Sequence, residues 1–188
     1  MDTRIANISH SNLFKALLAV FVSAYVLSSL SGCSHTSSSE KKQVEQESKQ
    51  YQKLGIMSES EHERVLSIVG RVTPNGKLSK EEVDWLLALS QRPGTEQQKG
   101  PRMQWVILAL GSGNHDTIPV SKRGAVFDFA TQAVRYTGHN ASAVRHTCYI
   151  FEELRDKRAL PYLTPLLSSD DPDVVRAARQ AIHALNKR

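Results

Sequence analysis

The stretch that decides the fold is residues 159–185, "ALPYLTPLLSSDDPDVVRAARQAIHAL". Leucines dominate its first part, and a short acidic turn that contains a proline follows. Asp171 can accept hydrogen bonds from the first backbone N–H groups of a helix, and Pro172 at the first helical position gives up no helical hydrogen bond. The alanines beyond them let neighbouring helices approach closely. The stretch therefore predicts two helices joined by an acidic turn.

Residues 143–154 repeat the second of these helices at an offset of 31 residues. The repeat aligns "AVRHTCYIFEEL" with "VVRAARQAIHAL" of residues 174–185. The later copy carries an apolar stripe at helical spacing, formed by Val175, Ala178, Ile182 and Leu185. The earlier copy has Val144, Thr147, Phe151 and Leu154 at the same positions. Internal periodicity of this kind indicates stacked helix pairs.

The preceding residues also have helical patterns. Ser58 with Glu61, and Ser79 with Glu82, are typical of capping boxes that begin helices. A third apolar helix is predicted over "PRMQWVILALGSG", with Pro101 near its start. We find no convincing pair of strands, so the fold class is all-α. The predicted helix pairs begin near residues 79, 121 and 158, and a generic helical bundle is the alternative for residues 58–120.

Residues 159–185 resemble a HEAT-type repeat, especially the short HEAT-like kind. The family pattern is an apolar first helix, an acidic turn with Asp-Pro, and a second helix that opens with Val-Arg and is rich in alanine. The preceding turn departs from it, with Asn140 and Ser142 where the last turn has Asp171 and Asp173. The resemblance implies a short HEAT-like α-solenoid, in which Arg145 and Arg176 pair with acidic residues of the turns. The matching residues are Leu160, Leu163, Leu166, Leu167, Asp170, Asp171, Pro172, Val175, Arg176, Ala177, Ala178, Ala181 and Leu185.

The N-terminus has the pattern of an export signal. Arg4 and Lys15 make residues 1–15 positive, and the apolar run "ALLAVFVSAYVLSSL" occupies residues 16–30. A membrane-spanning helix needs about 20 apolar residues, so this shorter run fits the core of a signal peptide better. The run leads into a tetrapeptide that resembles the lipobox of bacterial lipoproteins, Leu30-Ser31-Gly32-Cys33.

The lipobox resemblance implies cleavage before Cys33 and attachment of a diacylglyceryl group to its thiol. Two or three acyl chains of the palmitate kind anchor a protein durably, since each buried methylene contributes about 0.8 kcal/mol. Ser34 stands where an Asp would resemble an inner-membrane retention signal. We therefore expect a lipid anchor in the outer membrane, with the protein facing the periplasm. The alternative is an uncleaved N-terminal anchor with an incidental cysteine.

Residues 33–57 are predicted to be the lipidated cysteine and a flexible polar linker. Residues 34–53 are polar and can bury too little surface to offset the entropy lost on ordering. Val44, Tyr51 and Leu54 lie roughly on one helical face, so a short docking helix is the alternative. The helical HEAT-like domain would then cover residues 58–188, after a signal peptide of residues 1–32.

The chain is mildly basic, with a net charge of +5. This charge permits attraction to acidic surfaces, but it is not the dense basic stripe of a nucleic-acid-binding protein. Residues 121–188 hold 11 Lys and Arg against 7 Asp and Glu. Basic residues near helix starts and turns form a candidate surface for an acidic partner, with a merely solvated face as the alternative: Lys122, Arg123, Arg155, Lys157 and Arg158.

No pattern of catalytic residues is evident. With Cys33 lipidated, Cys148 has no disulfide partner in the chain. His146 is two residues away and points in a different direction on a helix, which favours a packed structural cysteine over a catalytic thiol. The seven histidines form no metal-ligand motif. We therefore expect no enzyme activity, no cofactor and no metal.

These patterns predict a membrane-anchored periplasmic lipoprotein that binds another envelope protein, as a scaffold or an assembly factor for the envelope or secretion. Solenoids suit this role because they leave long surfaces free. A pilotin-like escort of a secretin or pilus component is one specific form. The alternatives are a structural lipoprotein linked to the cell wall and a HEAT-like enzyme of the lyase type. No nucleic-acid partner is expected.

Overall fold

The computed structural model describes residues 46, 48–73, 76–113, 116–136 and 140–187. The predicted signal peptide, Cys33 and most of the predicted linker lie outside these described residues. Every regular element within them is helical and none is a strand, which confirms the all-α prediction. In the same residues, no helix is both long enough and apolar enough to cross a bilayer.

The described helices stack as pairs in a solenoid-like array. They are α1 (Glu59–Val72), α2 (Lys80–Gln91), α3 (Glu96–Gly111), α4 (Arg123–Tyr136), α5 (Ala141–Leu154), α6 (Leu160–Leu163) and α7 (Pro172–Asn186), with 3-10 segments at Val120–Lys122, Lys157–Ala159 and Thr164–Ser168. Helices α3, α5 and α7 lie side by side, while α2 packs on α3 and α4 packs on α5. The pairs begin at Lys80, Val120 and Lys157, close to the predicted starts.

The predicted helix caps are present. The Glu61 N–H donates to Ser58 Oγ at 3.3 Å, and the Ser58 N–H donates to Glu61 Oε2 at 2.7 Å. Ser79 and Glu82 form the same reciprocal pair, at 3.1 and 2.8 Å. The carboxylate of Asp171 accepts two N–H groups from the first turn of α7, at 2.8 and 3.3 Å. These local bonds fix where α1, α2 and α7 begin.

The start predicted for α3 was wrong. The helix begins at Glu96 rather than near Pro101, because the Thr95 N–H donates to Gln98 Oε1 at 2.9 Å and caps an earlier first turn. Pro101 therefore lies inside the helix and leaves one helical hydrogen bond unmade. The last seven residues of α3, which begin at Trp105, are all buried, so packing stabilises the helix in spite of the proline.

The first helix of the last pair also differs from the prediction, which had one apolar helix at this place. The structure has the single α-helical turn of α6 between two 3-10 segments. Pro165 has no N–H to continue an α-helical ladder, so the chain tightens into a 3-10 segment at this point. Leu163 is fully buried, whereas Leu167 is 37% exposed. The proline thus limits how many of the predicted leucines reach the core.

The buried face of α7 is rotated by about one residue from the apolar stripe that the sequence predicted. Val175 and Ile182 are only half-buried. The alanine-rich side of α7 faces the core because small side chains allow α5 and α7 to approach closely. The buried positions are Val174, Ala177, Ala178, Ala181 and Leu185.

The packed domain extends to the N-terminal side of Ser58, into residues assigned above to the polar linker. Residues 48–53 are helical, and the buried Tyr51 contacts the His62 and Trp105 rings edge-on, with centroids 5.3 and 6.2 Å away. Gly55 ends this helix with a φ of 64°, a backbone conformation that glycine adopts without strain. Of the docking face considered as an alternative, Tyr51 is buried, Leu54 is 47% exposed and Val44 lies outside the described residues.

We expect Gly111→Ala to lower the free energy of unfolding by about 2 kcal/mol. A Cβ at Gly111 would lie 2.6 Å from the carbonyl oxygen of His146, so α3 and α5 would have to separate. Gly124→Ala is the matched control, because a Cβ there meets nothing within 4 Å; it should leave stability unchanged or raise it by at most about 1 kcal/mol. Urea unfolding followed by circular dichroism measures both, and equal effects would contradict this account of the α3–α5 contact.

Candidate partner-binding surface

Three of the five basic residues proposed for an acidic partner are engaged in ion pairs within the chain. Lys122 Nζ lies 2.6 Å from Asp84 Oδ1, and Arg123 Nη2 lies 3.1 Å from Asp116 Oδ1. Arg158 Nη2 lies 2.6 Å from the adjacent Asp156 carboxylate. These carboxylates compensate the charges that an acidic partner would need.

Arg155 and Lys157 are the two members of the predicted set that take part in no ion pair among the described residues. Both are exposed. Arg155 caps the C-terminus of α5 in the left-handed conformation, with a φ of 52°. The Arg158 guanidinium lies 4.5 Å from the centroid of the Phe127 ring, which links the loop after α5 to α4. The predicted basic residues are thus brought near one another by α4 and α5, but most of their charge is compensated.

The arginines at the shared repeat position meet on one carboxylate. Arg145 Nη1, on α5, lies 3.3 Å from Asp173 Oδ2. Arg176 Nη2, on α7, lies 2.8 Å from the other oxygen of the same carboxylate. Asp173 therefore joins α5 to α7 and orients both guanidinium groups. Two arginines on one aspartate leave an excess of one positive charge at this position.

An open groove of about 520 Å³ lies beside this carboxylate on α7. Val175, half-buried, contributes an apolar surface, and Arg176 and Arg179 contribute guanidinium groups. Arg179 is exposed and makes no ion pair with the other described residues. The remaining lining residues are Ser169 and Asp170 in the turn before α7 and Pro172 at its first position.

Sequence reasoning did not single out Arg179 or the groove. The basic residues predicted for an acidic partner lie near helix starts and turns, whereas Arg179 lies in the middle of α7. A signal was present: Arg176 and Arg179 are three residues apart and therefore share one face of a helix. That Val175 also reaches this face depends on the rotation of α7, which packing against α5 determines.

A buried carboxylate holds the loop that carries Lys122 and Arg123. Glu153, on α5, is 7% exposed and accepts a hydrogen bond from the Ile118 N–H. Burial raises the pKa of this carboxyl group, and the Ile118 N–H and Arg123 act against the increase. Glu153 therefore has a structural use, because it satisfies the backbone of a loop that leaves the core.

The cysteine and histidine that might suggest a thiol enzyme are both packed in the core. Cys148 is fully buried, and burial raises the pKa of its thiol to about 12. Burial lowers the pKa of His146 to about 4, with a further contribution from Arg145. A thiol with so high a pKa is a poor nucleophile near neutral pH. Among the described residues, no group of three His, Cys, Asp or Glu side chains could hold a metal ion.

Comparison with family models, with curated proteins and with solved structures found no match to this chain.

We expect the domain to lose stability as the pH falls from 7 to 5. Burial lowers the pKa of His62 and of His146 to about 4, whereas an unfolded histidine titrates near 6.5. Between these values the unfolded chain binds more protons, so unfolding becomes more favourable by about 2 kcal/mol for each histidine over this interval. Urea unfolding at several pH values measures the change.

Variants separate this effect from the titration of carboxylates. His62→Phe and His146→Phe should each reduce the pH dependence between pH 7 and 5, while a substitution of the exposed His183 to Gln should not. An unchanged pH dependence in both phenylalanine variants would contradict the assignment to buried neutral histidines.

Proposed function

We propose that this chain is a lipid-anchored periplasmic protein that binds another envelope protein as a scaffold or assembly factor. The observation that carries the proposal is the α7 groove, where Arg176 and Arg179 border the apolar surface of Val175. A guanidinium group offers a planar set of donors that matches a carboxylate. The partner is therefore a protein segment that carries an acidic side chain beside an apolar one.

Asp173 and Asp170 give the groove selectivity. Asp173 holds the Arg176 guanidinium in place, so less side-chain entropy is lost when a ligand binds. The exposed Asp170 lies at the groove and would repel a second acidic group placed next to it. A segment with one acidic residue next to apolar ones fits this arrangement better than a strongly acidic run.

The lipid anchor rests on the sequence of the export signal and the lipobox at Cys33. Ser48, which belongs to the packed domain, lies 15 residues after Cys33 in the sequence. A connection of that length reaches at most about 50 Å, which limits how far Ser48 can lie from the membrane surface.

Binding explains the described residues better than catalysis does. Cys148 is buried with a raised pKa, and Glu153 is occupied by a backbone N–H. Neither side chain is both exposed and activated, as a catalytic nucleophile or base must be. The ion pairs of Lys122, Arg123 and Arg158 stabilise the loops rather than a reacting group.

We expect Arg179→Glu to reduce recovery of the partner by about tenfold or more in an envelope crosslinking pulldown read by mass spectrometry. Reversing a charge in contact with an acidic side chain replaces attraction with repulsion. Lys80→Glu is the matched control: it makes the same change of charge on an exposed residue at the start of α2, where an acidic side chain is tolerated. Both variants should keep the circular dichroism spectrum of the native protein.

Other outcomes of this pulldown would decide against parts of the proposal. Equal recovery with Arg179→Glu would exclude the α7 groove as the contact. Recovery of cell-wall material without a specific protein would support the structural lipoprotein instead. A chromophore or metal that co-purifies would support the enzymatic alternative.

We expect the mature protein, denatured and treated with a thiol reagent, to show one reactive thiol per chain. Lipidation consumes the thiol of Cys33 and leaves Cys148, which should react only after unfolding because it is buried. The same preparation should carry palmitate-type acyl chains, and Cys33→Ala should lack them and be released from the membrane. Two reactive thiols in the denatured protein would contradict lipidation at Cys33.

A further inference from the structure

We propose that residues 48–57, called the strap, detach reversibly from α1 and α3 under native conditions and so lengthen the connection between Cys33 and the helical domain. The lengthening rests on the proposed lipid anchor at Cys33. The detachment does not, because it concerns only residues that the structure describes.

The strap is a small unit with its own hydrogen bonds. The Ile56 N–H donates to the Tyr51 carbonyl at 2.9 Å, and the Gly55 N–H donates to the Gln52 carbonyl at 3.0 Å. These two bonds form a Schellman motif around Gly55. The strap meets the domain through Tyr51, Ile56 and Met57, which are buried, and through Gln98 Nε2, which donates to the Leu54 carbonyl at 3.0 Å.

The contact beneath the strap buries polar atoms that have no hydrogen-bond partner in the part of the chain that the structure describes. His62 is 1% exposed and Trp105 is 5% exposed, and their rings lie 4.9 Å apart against Tyr51. Both ring nitrogens of His62, the indole nitrogen of Trp105 and the hydroxyl of the buried Ser48 find no partner among the described residues. Docking therefore removes several polar groups from water without replacing their hydrogen bonds, which opposes the apolar burial of Tyr51, Ile56 and Met57.

A buried guanidinium group on α3 adds to the cost of keeping polar groups from water near Trp105. Arg102, one turn before Trp105 on α3, is fully buried and makes no ion pair with the described residues. Its Nε and Nη2 donate to the carbonyls of Gln98 and Pro93, both at 3.2 Å, while Nη1 is left without a partner. Burial lowers the pKa of Arg102. The part of α3 between Gln98 and Trp105 is thus costly to keep from water.

The rest of the domain does not need the strap to keep its secondary structure. Helix α1 begins at its own capping box, in which Ser58 and Glu61 exchange hydrogen bonds. Arg92 pairs with Glu61 and ties that first turn to the end of α2. Removing the strap therefore exposes part of α1 and α3 but leaves the N-terminus of α1 capped.

Detachment changes the reach of the anchor. With the strap docked, 15 residues separate Cys33 from Ser48 and reach at most about 50 Å. With the strap released, 25 residues separate Cys33 from Ser58, and the greatest reach becomes about 85 Å. A released strap is too short to remain helical in water, so all of it becomes flexible connection.

Amide hydrogen exchange on the full-length mature protein in detergent, at pH 7, tests the detachment. We expect the amides of Gly55 and Ile56 to exchange at least about 100-fold faster than the buried amides of α5, since local opening needs less free energy than global unfolding. Tyr51→Ala should accelerate exchange in the strap further without changing α5. Exchange of the strap together with α5, as one cooperative unit, would overturn the proposal.

Two substitutions test whether the buried polar atoms beneath the strap cause its detachment. His62→Phe and Ser48→Ala each remove polar atoms that lack partners, so each should slow exchange of the strap, by about tenfold for His62→Phe. His146→Phe is the matched control, because the ring nitrogens of the buried His146, on α5, also find no partner among the described residues; it should leave exchange of the strap unchanged. If neither His62→Phe nor Ser48→Ala slows exchange, the proposed cause is wrong. Failure of this test leaves the α7 groove unaffected, and the pulldown above tests that groove separately.

Discussion

The rest of the domain depends on the burial of helix α3. Its C-terminal half, from Trp105 onward, is buried without interruption, and α1, α2, α4 and α5 all pack against it. A helix that is apolar on every side cannot be stable at a surface, so its neighbours must enclose it. Gly111 lets α5 come close enough to do so, because its missing side chain makes room for the His146 carbonyl. The position of α5 then determines where α7 can pack.

The same packing decides which charges remain for recognition. The chain has more basic than acidic residues, but its carboxylates are placed where they compensate the basic residues of loops and turns. Asp84 pairs with Lys122 across two helix pairs, and Asp173 pairs with Arg145 across the last two. Exposed ion pairs of this kind contribute little stability individually. Their larger effect is to decide which cations stay free of an ion pair. Arg179 is one such cation among the described residues, and it borders an open groove.

Local signals in the sequence predict much of this fold. Ser58, Ser79 and Asp171 cap helices as expected, because a capping bond depends on residues three or fewer positions apart. Rotation and packing are harder to predict. Spacing alone placed Val175 in the core. In the structure it lines the groove instead, because the alanines of α7 fit closer to α5. The docked residues before Ser58 were placed in a linker because the sequence there is mostly polar, and Trp105, which Tyr51 contacts, lies 54 positions further along the chain.

The candidate site was less predictable than the fold for a related reason. Whether a basic side chain is available depends on its carboxylate neighbours, and those of Lys122 and Arg145 lie 38 and 28 positions away in the sequence. Composition identified the basic part of the chain, but tertiary contacts decide which of its cations are paired. Arg155, Lys157 and Arg179 are among those that take part in no ion pair with the described residues. Arg179 escapes compensation because α7 packs through its opposite, alanine-rich side and turns this face away from the acidic residues of α5.

The groove and the strap lie on different parts of the helical array, and this separation has a consequence for an anchored protein. The strap contacts α1 and α3, whereas the groove lies on α7, and α5 stands between α3 and α7 in the order of packing. A partner bound at Arg179 would therefore leave Tyr51 and its neighbours untouched. Release of the strap changes the distance that the groove can reach from the membrane, but not the residues that line it. Affinity for a partner and reach from the anchor can then vary independently, which suits a protein that must capture a partner at one distance from the membrane and hold it at another.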